Sequence, residues 1–119
     1  MLTLPLALPA QQACETLAGL ALPHTTITAA TMVAATATIP AHCDVKAVTK
    51  PTRDSEIKFE VWLPASGWNG KYEQVGNGGW AGSVPVQSFA EPLRRGYAVA
   101  GTDDGHTGGN AAWAIGHPE

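Results

Sequence analysis

Tyr72-Glu-Gln-Val75 runs straight into Gly76-Asn-Gly-Gly-Trp-Ala-Gly82, and the joint between these two segments decides how the chain is read. The first four residues suit a short strand, and four glycines in the next seven positions make a loop. Beyond the loop, Val86, Phe89, Ala90 and Leu93 recur at i, i+3, i+4 and i+7, which predicts one apolar helix face. Arg94 and Arg95 place positive charge at the end of that helix, and Gly96 is suited to close it. Pro92 conflicts with a helix interior, so a kink or a shorter helix is expected. Tyr97-Ala-Val-Ala-Gly101 then forms an unbroken run of small apolar residues, as in a parallel strand covered on both faces. Strand, glycine loop, helix and strand make a βαβ unit, whose ligands gather at the C-terminal ends of the strands. The fold class is α/β.

Upstream, Ile57-Lys-Phe-Glu-Val-Trp-Leu63 is the clearest strand. Ile57, Phe59, Val61 and Leu63 alternate with Lys58, Glu60 and Trp62, which predicts one apolar face, and Pro64 stops the run. Thr25 to Val33 and Cys43 to Thr49 suit two earlier extended segments, and Lys50 to Ser55 reads as a turn. Gln11 to Leu20 could form a short helix ending before Pro23. Thirteen glycines and nine prolines in 119 residues disfavour a helix bundle. Hydrophobic residues at 45% and charged residues at 14% describe a globular chain, not a disordered one. A net charge of −3 without Lys/Arg runs gives no face for nucleic acid or an anionic membrane.

Glycines 76 to 82 leave backbone N–H groups unshielded and able to converge on one spot, which could hold a phosphate or the oxyanion of an attacked ester carbonyl. The plain alternative is a turn made tight for steric reasons. A dinucleotide reading competes, because Gly76-x-Gly78-x-x-x-Gly82 follows a strand and Asp103 ends the next one, where a ribose-binding acid would stand. Trp80 counts against it by crowding the place where a pyrophosphate needs close backbone approach. Asp103, Asp104, His106 and His117 have no established metal-ligand spacing, and a local role in shaping a turn is the simpler reading; no metal site is assigned. Glu60 and Glu73 lie outside any paired-carboxylate pattern. None of Ser55, Ser66, Ser83 and Ser88 lies in Gly-x-Ser-x-Gly, so no nucleophile is assigned. A small binding module without chemistry is therefore the alternative from a different class.

The opening Met1 to Ala10 is apolar and ends in small residues, like the tail of an export signal, but it lacks a basic n-region and is too short to span a bilayer. Residues 1–12 accordingly read as a signal remnant or as an ordinary terminus. Cys14 and Cys43 could be buried thiols or, in an exported protein, a pair closing a loop of about 30 residues.

Successive blocks resemble the tannase and feruloyl esterase family, which includes mono(hydroxyethyl) terephthalate hydrolases. They are Ile57–Pro64, Gly67-Trp-Asn-Gly-Lys-Tyr72, Val75-Gly-Asn-Gly-Gly-Trp-Ala-Gly82, Arg95-Gly-Tyr-Ala-Val-Ala-Gly-Thr-Asp-Asp-Gly-His-Thr-Gly-Gly109 and Trp113-Ala-Ile-Gly-His-Pro-Glu119. Cys14 and Pro40-x-His-Cys43 match the family's opening, so the likeness runs from about residue 13 to the end. The resemblance implies an α/β-hydrolase serine esterase acting on gallate- or hydroxycinnamate-type aromatic esters through a Ser-His-Asp acyl-enzyme, with residues 13–119 as the N-terminal part of the catalytic domain. It places the serine elbow, the acid, the histidine and an inserted lid with a calcium site beyond this chain's end, so no cofactor is expected within it. It implies that Gly78 and Gly79 are oxyanion-loop residues and that Trp80 is a wall of the acyl site. It also implies that Cys14 and Cys43 form a structural disulfide, that Asp103, Asp104 and His106 brace the crest, and that the protein is secreted or periplasmic. Oligomeric state and the ester hydrolysed are left open.

Overall fold

The computed structural model describes residues 13–118 of the chain. The reading of residues 1–12 as a signal remnant, and the Gln11–Gln12 start of the first expected helix, lie outside the described residues.

Alternating β-branched and apolar residues form three long strands: β1 (Thr25–Val33), β2 (His42–Thr49) and β3 (Ile57–Pro64). They pair antiparallel in sequence order, with His42 opposite Pro64 and Thr49 opposite Ile57. A register shift between Ile27 and Ala29 in β1 leaves Thr28 bulged, and its hydroxyl donates to the Lys46 carbonyl at 3.1 Å. Two further strands, β4 (Tyr72–Gln74) and β5 (Ala98–Thr102), complete a five-stranded mixed sheet in the order β1-β2-β3-β5-β4. β5 is antiparallel to β3 and parallel to β4.

The connection between β4 and β5 contains a 3-10 turn, Val86–Ser88, followed by the short helix α1 (Ala90–Arg94). The expected single helix face is thus split at Phe89. Pro92 is the third residue of α1, where a backbone N–H has no intrahelical acceptor, so its missing donor costs nothing there. Leu93 is the first to close an α-type bond, to the Phe89 carbonyl at 3.1 Å. Gly96, at φ +85°, ends the helix: its N–H reaches the Leu93 carbonyl at 2.9 Å and Tyr97 N–H reaches the Pro92 carbonyl at 3.1 Å. That pair of bonds is a Schellman cap, which needs a left-handed residue at this position.

Both faces of the sheet are covered. Trp62, Phe89, Leu93 and Val99 form the core on the α1 side, with Ile39, Val75 and Val84 around it. The alternation in β3 puts Trp62 on the face of Lys58 and Glu60, and it lies there, but that face is covered too: Trp62 is only 9% exposed, stacked on His42 at 4.1 Å and edge-on to Phe89 at 5.2 Å. On the other face, Cys14, Cys43 and Val45 pack with Leu17, Ile27, Ala30, Val61 and Leu63. The expected N-terminal helix is a 3-10 helix, Cys14–Gly19, and it is stapled to β2 by a Cys14–Cys43 disulfide with a Cα–Cα distance of 5.7 Å. Of the two readings of these cysteines, the pair holds.

Candidate functional site

Because β4 and β5 are parallel, the segments that follow them leave the sheet at the same rim. After β4 come Val75 and the glycine loop, Gly76 to Gly82; after β5 comes the crest, Asp103 to Gly109. Thr102, Asp103 and Lys58 knit the crest to the start of β3. Thr102 Oγ1 donates to the Lys58 carbonyl at 2.9 Å, and the Lys58 N–H donates to Asp103 Oδ1 at 3.0 Å. Asp103 Oδ1 also accepts the Gly105 N–H at 2.9 Å. Asp103 is 6% exposed and so occupied by backbone donors, which accounts for a buried carboxylate. Asp104 takes a left-handed conformation, φ +56°, as a short polar side chain in a turn can.

The glycine loop is tied down at four places. Val75 N–H donates to the Ala100 carbonyl at 2.8 Å, continuing the β4–β5 ladder. Asn77 Nδ2 reaches both the Thr102 carbonyl at 2.7 Å and Asp104 Oδ2 at 3.0 Å. His106 Nε2 lies 2.8 Å from the Trp80 carbonyl. Gly82 and Gly108 exchange two backbone bonds, at 2.7 and 3.3 Å. Within the loop, the Ala81 N–H closes a turn on the Gly78 carbonyl at 3.2 Å. Gly79 is the second residue of that turn at φ +57°, a sign that only glycine adopts without strain, whereas Trp80 keeps a negative φ.

Between these ties, the Gly78 and Gly79 N–H groups donate to no acceptor among the described residues, and a Cβ at either position would meet nothing within 4 Å. The beginning and end of the loop are rigid while its two central amides are uncommitted and open. Next to them, Trp80 is 61% exposed. The arrangement can present two donors and an aromatic surface to a small anionic or carbonyl oxygen. The expected residues Gly78, Gly79 and Trp80 therefore come together at one rim with Asp103, Asp104 and His106. Cys14 and Cys43 lie at the opposite end of the sheet, where Cys43 pairs with Leu63. His117 lies 3.5 Å from Asp54 in the turn between β2 and β3.

Sequence reasoning missed Asn77 and the Gly82–Gly108 bridge. An amide residue between two glycines was the available signal for Asn77, since Asn can replace the backbone partners that glycines leave unused.

The dinucleotide reading fails on geometry. The loop does not open a helix: Pro85 and a 3-10 turn intervene before the five-residue α1, so no helix N-terminus faces the loop. Asp103 spends Oδ1 on two backbone amides and is buried away from a ribose. Among the described residues no group of three or more His, Cys, Asp or Glu side chains is placed to hold a metal ion. No described helix is long and apolar enough to cross a membrane.

The family model for tannase and feruloyl esterase matches residues 43–119. A protein of Xanthomonas campestris pv. campestris named as an uncharacterized esterase is 47% identical over 122 residues, covering 92% of this chain and 21% of the relative. A probable feruloyl esterase B-2 of Aspergillus flavus is 34% identical over 70 residues, 59% of this chain and 13% of that protein. Among solved structures, feruloyl esterase B from Aspergillus oryzae superposes with a TM-score of 0.73 at 27% identity, over 84% of this chain and 22% of that one. An esterase from Aspergillus oryzae, at 22% identity and a TM-score of 0.72, shares the fold. The chain spans about a fifth of the length of these proteins or less. With the matched region covering most of its length, the chain belongs to the tannase and feruloyl esterase family.

Proposed function

We propose that this chain supplies the oxyanion loop of a secreted or periplasmic carboxylic ester hydrolase of the α/β-hydrolase fold. Residues 13–119 form the first part of its catalytic domain, and the nucleophile, acid and histidine of a Ser-His-Asp triad are carried elsewhere in the protein. Its substrates are aromatic esters of the gallate or hydroxycinnamate type.

One observation carries this reading: Gly78 and Gly79 have uncommitted amides in a loop pinned on both sides. When a serine attacks an ester carbonyl, the carbonyl oxygen gains negative charge, and fixed N–H donors near 3 Å from it lower the barrier without reorganising. In this fold a loop following an early strand of the sheet provides one such donor and the residue after the nucleophile another, and here that loop follows β4. Trp80, exposed beside the loop, offers a flat apolar surface for an aromatic acyl group. The Cys14–Cys43 disulfide supports the exported location, since such bonds persist in oxidising compartments.

The test is a Gly79→Val substitution in the esterase that carries this chain together with its serine elbow, assayed on 4-nitrophenyl acetate, methyl ferulate and methyl gallate. A β-branched residue cannot hold φ +57° without strain, so the amide moves. Turnover on all three esters falls about 10²- to 10³-fold, as for loss of one oxyanion donor. Parental turnover in a folded variant removes the oxyanion assignment. Hydrolysis of the acetate alone removes the aromatic-ester assignment.

A further inference from the structure

The loop that must hold its amides still is made of the residues least able to do so, because glycine has the widest backbone freedom of any residue. Something outside the loop has to fix it. His106, on the crest after β5, is placed to do this. Its Nε2 is 2.8 Å from the Trp80 carbonyl, and a carbonyl oxygen only accepts, so Nε2 carries the proton and donates. Its Nδ1 is buried and has no partner among the described residues.

The ring is itself held on its other sides. It stacks on Trp113 with centroids 4.5 Å apart and planes 14° from parallel. It also lies against Gly82 so closely that a Cβ there would sit 2.6 Å from His106 Cδ2 and 2.8 Å from Nε2. Gly82 has no room for a side chain, because the imidazole and the His106 carbonyl oxygen, also 2.6 Å from that Cβ, occupy the space. The imidazole is a strut braced by Trp113, touching the end of the loop and bonded to its middle. The Trp80 carbonyl belongs to the peptide that completes the Gly78–Ala81 turn, so holding it fixes the turn that orients the Gly78 and Gly79 amides.

We infer that His106 is a positioning residue for the oxyanion loop: through its bond to the Trp80 carbonyl it keeps the Gly78 and Gly79 N–H groups preorganised for the developing oxyanion. This rests on the oxyanion reading given above. His106 touches no reacting atom. Its contribution comes from geometry, where a misplacement of about 1 Å can lower a rate about 10²-fold.

The experiment uses the same esterase and 4-nitrophenyl acetate, with three variants side by side. His106→Phe keeps a flat ring against Trp113 and loses the donor. His106→Gln keeps an N–H donor at about the same reach and loses the aromatic stack. Gly79→Val perturbs the amide directly. The expected result is a kcat about 10- to 100-fold lower in His106→Phe with KM within about twofold of the parent, and recovery of most of that loss in His106→Gln. Parental kcat in His106→Phe alongside a large loss in Gly79→Val overturns the strut while leaving the oxyanion reading intact. Equal losses in Phe and Gln variants, tracking a fall in melting temperature, also overturn it, because the residue would then be structural only. Parental kcat in Gly79→Val overturns both.

Discussion

Glu60 shows what a single position in a sheet covered on both faces has to tolerate. It shares a face with Trp62, whose indole N–H donates to Glu60 Oε1 at 2.9 Å, and it lies beside Asp44 across the β2–β3 pair. Burial raises its pKa above the usual carboxylate value of 4.5; Asp44 adds to the rise, while the Trp62 bond and Lys46 oppose it. Asp44 Oδ1 is buried without a donor, so a protonated Glu60 can give Asp44 the hydrogen bond it lacks. Because the folded chain holds this proton more tightly than the unfolded chain, the stabilisation is complete below pH 4.5 and fades as pH rises through the raised value. Glu60→Gln keeps an acceptor for Trp62 and gains a permanent donor. Urea titrations should therefore find it gaining on the parent as pH climbs from 4 to 7; a gap that does not change with pH would refute the burial argument. Little of this was visible beforehand. Alternation in β3 locates the strand and puts Trp62 on the face of Lys58 and Glu60, where it lies, but it cannot tell that this second face is covered as well.

At the scale of elements, patterns confined to neighbouring residues were legible and those needing a distant partner were not. The bounds of β1 and β3 follow from β-branched and alternating residues, and the close of α1 follows from Arg94-Arg95-Gly96. The glycine loop was readable as a loop, yet its fastenings join residues 25 to 27 apart in sequence, which no local pattern encodes. The short helix expected within Gln11 to Leu20 is present as the 3-10 helix Cys14–Gly19, but its Cys14–Cys43 tie to the sheet joins residues 29 apart and left no local pattern. The cap of α1 gives a clean test of element stability. An alanine at Gly96 would take φ +85° and bring its Cβ 2.9 Å from the Gly67 carbonyl oxygen. The left-handed conformation alone costs about 1–2 kcal/mol for a residue with a side chain. Gly96→Ala should therefore lower the unfolding free energy by at least that amount, read as a lower urea midpoint at unchanged slope, and a midpoint equal to the parent's would mean the loop at Gly67 yields freely.

Taken whole, the described residues form one sheet with a thin cover on each face. Apart from prolines, ten hydrophobic side chains are buried, and large ones such as Trp68, Tyr72 and Ile115 remain exposed. β4, three residues long, stands at a sheet edge with one side unpaired. So little core gives small stability, and the disulfide contributes about 3–4 kcal/mol by closing its 29-residue separation. The isolated 119-residue chain should melt broadly at modest temperature when oxidised and lose cooperative unfolding when reduced. A sharp, reduction-resistant transition in calorimetry would instead favour a self-sufficient binding module. The disulfide also sits at the far end of β5 from the rim, about 13 Å along the strand from Ala98 to Thr102. One end of the sheet carries the staple and the other carries the glycine loop and crest. Linkers, dyes or immobilising groups therefore belong at the stapled end, where attachment leaves the approach of a substrate to the opposite edge unobstructed.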